Sequence, residues 1–183
     1  MDDIVRQAMA KWPHVPHCFG WLGLDNRGDW YLRDDAAQAA GAFSSGLPGS
    51  KGSRLMHEKL VDFICRNYAA DAQGRCYFQN GPQRVYVELQ AAPWIWRVDD
   101  TAAIHAHTGQ QTTYAESWVD EAGRLYLQTP LGLGLVHTAD MGRAAAAVEA
   151  GLWLPQEIRA HEMPPRFGYV CSPQAEQSNT KPL

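Results

Sequence analysis

Asp71-Ala72-Gln73-Gly74-Arg75-Cys76-Tyr77-Phe78 is the stretch whose reading decides the fold. Two altered copies flank it: Asp25-Asn26-Arg27-Gly28-Asp29-Trp30-Tyr31-Leu32 and Asp120-Glu121-Ala122-Gly123-Arg124-Leu125-Tyr126-Leu127. All three read Asp-x-x-Gly-x-x-Tyr followed by Leu or Phe, at spacings of 46 and then 49 residues. An Asp three residues before a Gly is turn grammar. The carboxylate accepts backbone N–H groups ahead of it, and the glycine takes the positive φ that closes the turn. Apolar residues on both flanks make each copy a strand, a turn and a strand. The second and third copies also agree at Arg75 and Arg124, Gln79 and Gln128, and Val87 and Val136. This pattern predicts an α+β fold of antiparallel hairpins and meanders with a few short helices and duplicated strand–turn–strand units.

Working outward, Arg84-Val85-Tyr86-Val87-Glu88-Leu89 alternates after the Asn80-Gly81 turn signal, and Trp94-Ile95-Trp96-Arg97-Val98 returns as a further strand. Together with the strand from Tyr77 these read as a three-stranded meander on a preceding helix. That helix is predicted from a Ser53 cap to about Tyr68, with Met56, Leu60, Phe63 and Ile64 on its apolar face. A short helix over 2–12 and another over 141–150, capped by Asp140, complete the elements. The Gly/Ala/Ser-rich 34–53 stretch reads as a mobile surface loop. Asp99-Asp100-Thr101 marks the boundary, giving an N-terminal subdomain over 1–98 and a C-terminal one over 99–162. The Pro- and Gln/Ser-rich residues 163–183 read as an extended or disordered tail.

The chain has 183 residues, 45% of them hydrophobic, and a net charge of −4. That size supports one domain or two small ones. The acidic balance and scattered basic residues argue against a nucleic-acid partner. No apolar run reaches membrane-spanning length and the N-terminus lacks a secretory pattern, so no membrane role is expected. Cys18, Cys65, Cys76 and Cys171 are widely spaced, as free thiols of a cytoplasmic protein would be.

Around Phe63-Ile64-Cys65-Arg66-Asn67-Tyr68, Asp71, Gly74-Arg75 and Tyr77 to Val87, with Cys18 to Leu24 upstream and Pro93-Trp94 downstream, the chain resembles a proteobacterial family of unknown function. The likeness covers roughly residues 17–150 and is most specific at Gln79-Asn80-Gly81-Pro82-Gln83-Arg84-Val85-Tyr86-Val87. A second uncharacterised family with repeated hairpin motifs is similar in layout. That second resemblance implies a two-part α+β fold with ligand binding or signalling. Neither resemblance carries catalytic residues over.

Chemistry-bearing residues fall into two sets. Arg84, Tyr86 and Glu88 share one face of their strand, with either Arg97 or the Trp94/Trp96 pair across from them. Convergent Arg, Tyr and Trp suit a small anionic ligand or a partner protein. His14, His17 and Cys18, joined in space by His105 and His107, would have the residue types of a zinc site or of a metal- or thiol-dependent hydrolase. Gly49-Ser50-Lys51-Gly52-Ser53 lacks the phosphate-loop pattern, and Asp25 to Asp29 lacks the distal Glu of a calcium loop. No complete catalytic motif is present, so the leading expectation is a non-enzymatic, cytoplasmic ligand-binding or protein-interaction module in signalling, with edge strands open to homodimer pairing.

Overall fold

The polypeptide, seen in a computed structural model that describes residues 1–180, divides into two units. The first comprises residues 1–25, 29–90 and 169 onward; the second comprises 26–28 and 91–168. The first unit runs α1 (Asp3–Lys11), β1 (Cys18–Leu24), β2 (Trp30–Leu32), α2 (Asp35–Ala40), β3 (Ser53–Arg54), α3 (Glu58–Arg66), β4 (Tyr68–Ala70), β5 (Cys76–Asn80) and β6 (Gln83–Leu89). The second runs β7 (Trp94–Val98), β8 (Ile104–Ala106), β9 (Gln111–Thr112), β10 (Glu116–Val119), β11 (Leu125–Thr129), β12 (Gly132–Val136), α4 (Met141–Glu149), β13 (Gln156–Glu157) and α5 (Met163–Phe167). The last helix, α6 (Pro173–Thr180), belongs to the first unit. The fold is α+β, built on hairpins, with six short α-helices and two sheets among the described residues.

The sheet of the first unit has the order β3-β2-β1-β6-β5-β4. Read from β9, the other sheet has the order β9-β8-β7-β12-β11-β10, with β13 added at the edge. In both, the first and last strands of the unit's six form a central parallel pair, β1 with β6 and β7 with β12. The registers correspond as well. Leu22 opposite Leu32 matches Trp96 opposite Ala106, Phe78 opposite Val85 matches Leu127 opposite Gly134, and Leu22 beside Val87 matches Trp96 beside Val136.

The three predicted glycine turns are all present, joining β1 to β2, β4 to β5 and β10 to β11, with Gly28, Gly74 and Gly123 at positive φ. A fourth turn of the same construction joins β7 to β8. In each, the Asp N–H donates to the carbonyl four residues on: Asp25 to Asp29, Asp71 to Arg75, Asp99 to Ala103 and Asp120 to Arg124. In each, the Asp Oδ1 accepts the N–H of that same residue at 2.9–3.0 Å. The fourth copy escapes a glycine search because Ala102 takes the left-handed position at φ 61°; among the described residues it is the only non-glycine with positive φ.

Alternation along the strands places the cores. In the first sheet Leu22, Leu24, Phe78, Val87 and Leu89 are buried, and the Phe63 ring of α3 meets Phe78 edge-on at 5.4 Å. The opposite face carries Gly23 and Glu88 and is covered by α6 and the 33–52 segment. A Cβ on Gly23 would stand 2.5 Å from the Phe43 ring, so glycine here admits that ring against the backbone. In the second sheet Trp96, Val98, Leu127 and Val136 pack with Ala144 and Ala147 of α4 and with Trp153. The Leu131-Gly132-Leu133-Gly134 run makes room for indoles: a Cβ on Gly134 would lie 2.4 Å from Trp96 Nε1.

Several local expectations change. The strand from Trp94 does not extend the first meander; it pairs with β12 and opens the second sheet. Alternation specifies a strand, not its neighbour. The predicted helix from Ser53 begins at Glu58, capped by His57, because Ser53–Arg54 pairs with β2. Met56 is then 72% exposed rather than part of an apolar face. The 34–53 stretch is held down rather than loose. Buried Arg33 donates to the carbonyls of Ser50 (2.9 Å), Gly20 (3.2 Å), Ala37 (3.4 Å) and Gly41 (2.6 Å). The stretch from 163 contains α5 and α6 where fraying is expected, and residues 181–183 of that expected tail lie outside the described residues.

Two stability outcomes follow from these contacts. Gly123→Ala meets no steric obstacle, so its cost is conformational and is expected to be roughly 1 kcal/mol. Arg33→Met strips four carbonyls of this donor, three of those hydrogen bonds being buried, and is expected to cost about 3 kcal/mol or more. Urea unfolding of each variant measures both.

Candidate functional site

The face of β6 that bears Arg84 and Tyr86 forms a cationic, aromatic corner in the first unit. Tyr86 is buried, with Phe19 stacked on it at 4.5 Å and His17 and Tyr77 each 5.9 Å away at steep angles. Its hydroxyl donates to Asp71 Oδ2 at 3.1 Å. Arg75 lies over the Tyr86 ring at 5.0 Å and donates from Nε to the same carboxylate oxygen at 2.8 Å. The turn aspartate thus locks both a guanidinium and a phenol. Burial opposes ionisation of Asp71, but the hydrogen bonds from Arg75, Tyr86 and Gln73 outweigh it and hold the carboxyl below its ordinary range.

Arg84 is held differently. Its guanidinium sits over the Tyr77 ring at 4.4 Å, and among the described residues no carboxylate forms an ion pair with it. Beside it, His17 is pushed toward the neutral form, first by burial and then by the charges of Arg84 and Arg75. The corner therefore presents positive potential, aromatic walls and a neutral imidazole. A planar guanidinium in this state can receive a carboxylate or phosphate through paired hydrogen bonds.

The other expected ligand residues lie elsewhere. Glu88 is buried and accepts from Ser172 Oγ at 2.5 Å and from the Gln174 N–H at 3.0 Å. Trp94, Trp96 and Arg97 belong to the second unit. Trp96 is fully buried and donates from Nε1 to the Leu127 carbonyl at 3.0 Å; Trp94 stacks with it at 5.9 Å. Arg97 makes two hydrogen bonds to the buried Asp140, Nε to Oδ2 at 2.5 Å and Nη2 to Oδ1 at 3.2 Å. Of the six, Arg84 and Tyr86 share the corner of the first unit, Glu88 of the same strand is engaged with Ser172 and Gln174, and the other three are residues of the second unit.

The histidines are likewise divided. His14, His17 and Cys18 are in the first unit, His105 and His107 in the second. His105 faces Asp99 at 3.8 Å. The His107 Nδ1 accepts the Ile95 N–H at 3.3 Å, and burial drives that imidazole down to about 3. Among the described residues no three His, Cys, Asp or Glu side chains converge as metal ligands would. Burial pushes the Cys76 thiol up to about 12 and Cys171 up to about 11, and raises Cys65 too, which is the reverse of what a thiolate nucleophile needs.

An open cleft of about 580 Å³ lies in the second unit, lined by Asp120, Glu121, Glu157, Arg159 and Glu162 among others. Three of its four carboxylates serve the backbone: Glu121 accepts the Ala160 N–H at 2.9 Å, Glu162 that of Arg159 at 3.0 Å and Asp120 that of Arg124 at 2.9 Å. Sequence reasoning passed over Phe19, Arg75 and Tyr77 as site residues. Their signal was the Asp-x-x-Gly-Arg turn and the Phe19 and Tyr77 positions on strands flanking Tyr86.

The titrating groups set an acid profile. His107 resists protonation in the fold, so stability falls as pH drops below the unfolded imidazole value of about 6.5 and goes on falling toward about 3. Asp71, Asp120 and Asp140 are all lowered, so their stabilisation is complete above about pH 4 and is lost as pH falls through their folded values. The urea midpoint is expected to decline gently from about pH 6.5 and more steeply below about 4. His107→Gln is expected to shrink the upper part of that decline to the smaller contribution of His17 and to leave the lower.

Comparison with known proteins places the chain by family. No curated protein matches it. Among solved structures it is similar to a DUF1285 family protein from Silicibacter pomeroyi DSS-3, at 13% identity and a TM-score of 0.48, over 79% of this chain and 83% of that one. Among the described residues no helix is long and apolar enough to cross a membrane. A family model covers residues 1–174, and on that match the chain belongs to the family described as Protein of unknown function (DUF2946).

Proposed function

We propose that the protein is a non-catalytic binding module whose first unit receives an anionic ligand at the corner formed by His17, Arg75, Tyr77, Arg84 and Tyr86. The observation that carries this reading is Arg84: a guanidinium laid on an aromatic ring, next to a second guanidinium, with no ion-pair partner among the described residues. Two close positive charges repel, and an arriving anion relieves that repulsion.

Comparison of the two halves supports the choice. Their matching strand order and register support descent from one duplicated six-stranded unit. Positions common to both halves then report the frame, and positions that differ report specialisation. Asp71, Arg75 and Tyr77 have counterparts of the same type in Asp120, Arg124 and Tyr126. Arg84 and Tyr86 do not: the registers put Leu133 and Leu135 in their places. The shared set builds the turn, and the unshared pair is what the first half adds.

A thermal-shift screen of the full chain with small polyanions such as pyrophosphate and citrate tests the proposal. Arg84→Gln is expected to weaken the bound anion by about ten- to a hundred-fold, the usual range for losing a charged hydrogen-bond donor. Arg54→Gln, which removes an exposed arginine paired with Asp29 in the same unit, is expected to leave affinity unchanged. Equal responses from wild type and Arg84→Gln would rule the corner out.

A further inference from the structure

The chain's own C-terminal segment lies in the first unit in the manner of a bound peptide. Beyond the Tyr77–Tyr86 pair, β5 and β6 no longer pair with each other, and residues 170–171 enter there. The Val170 N–H donates to the Gly74 carbonyl at 3.1 Å, and Arg75 and Val170 form a parallel bridge. The Leu89 N–H donates to the Cys171 carbonyl at 2.8 Å. These are main-chain contacts of the kind an extended peptide makes when it adds to a sheet.

Side-chain recognition follows at once. Glu88, 2% exposed, accepts the Ser172 hydroxyl at 2.5 Å and the Gln174 N–H at 3.0 Å, so one buried carboxylate reads a hydroxyl residue and the first turn of a helix together. Ser172 Oγ in turn accepts the Ala175 N–H at 3.3 Å. Pro173 and Tyr169 are buried as apolar anchors. Gly20 leaves room for Gln174, whose side-chain amide would lie 2.4 Å from a Cβ there, and Gln174 donates to Gln38 Oε1 at 2.7 Å. Glu176 lies within electrostatic reach of Arg75, so its carboxylate sits toward the cationic corner.

The helix that follows has little reason to exist alone. α6 is an eight-residue run, Pro-Gln-Ala-Glu-Gln-Ser-Asn-Thr, with no apolar face. Helices this short are unstable in water without tertiary support. Glu88 and the sheet supply that support. The segment also follows Gly168, at φ 66°, which needs no contact to hold it and leaves open space around a notional Cβ.

We infer that the groove at the ends of β5 and β6 is a peptide-binding site and that residues 169–176 are its tethered occupant. The partner it fits is an extended segment bearing a hydroxyl residue, then Pro at a helix start, then a carboxylate one turn on. This inference shares only Arg75 with the anion-site reading and otherwise stands on groove contacts which that reading does not use.

Hydrogen exchange on the full-length protein is the first test. The amides of Val170, Gln174 and Ala175 are expected to be at least tenfold less protected than that of Val87, because the segment opens without global unfolding. The second test titrates a labelled synthetic peptide of residues 169–180 into full-length protein, read by anisotropy. Ser172→Ala weakens the tethered competitor and is expected to bind the peptide at least fivefold more tightly than wild type. Glu88→Ala is expected to lose binding. A peptide carrying Glu176→Gln separates the two readings: if it binds as well as the unaltered peptide, the groove stands and its link to the corner falls. Protection of the segment equal to that of Val87 overturns the inference. So does the absence of peptide binding to a folded Ser172→Ala protein.

Discussion

One carboxylate accepting backbone N–H groups across a five-residue turn underlies most of this molecule. Asp25, Asp71, Asp99 and Asp120 each close a strand pair this way, and each does so through the residue four positions on. The interaction fixes the register of the hairpin, and register decides which side chains face the core. Where Arg follows the glycine, as at Arg75 and Arg124, the other carboxylate oxygen binds the guanidinium as well. The turn then holds an oriented cation at the sheet's edge. In the first half that cation forms one wall of the corner beside Arg84.

The two sheets show how one frame is used in two ways. Leu133 and Leu135 are buried apolar residues on β12, whereas the matched positions on β6 are Arg84 and Tyr86. The tyrosine hydroxyl that reaches the turn carboxylate changes strand accordingly. It comes from Tyr86 on β6 in the first half and from Tyr126 on β11 in the second. That exchange leaves Tyr77 free to lie under Arg84.

Much of the architecture was legible because turn chemistry is local. Asp, Gly and the two residues between them determine their own conformation, so Gly28, Gly74 and Gly123 announced their hairpins. The turn at Asp99 read as a boundary because Ala102 adopts a conformation that its residue type does not advertise. Pairing between distant strands was not legible. Nothing in Trp94 to Val98 says that its neighbour is β12, because a parallel pair has no connecting turn to read. The same limit hid the corner. Alternation placed Arg84 and Tyr86 on one face, but the role of Phe19 depends on β1 and β6 lying side by side. Glu88 looked available for a ligand because its partners, Ser172 and Gln174, lie far along the chain.

The return of residues 169–176 to the first unit has a consequence for biosynthesis. As the chain leaves the ribosome, all six strands of the N-terminal sheet emerge before those of the second, yet its covering segment is synthesised after both sheets. Residues 91–168 are contiguous and can reach their native pairing as soon as they are out. The unit made first is therefore the one finished last. Until residues 172–174 have been made, Glu88 has neither Ser172 nor Gln174 beside it, and the groove that they fill stands empty.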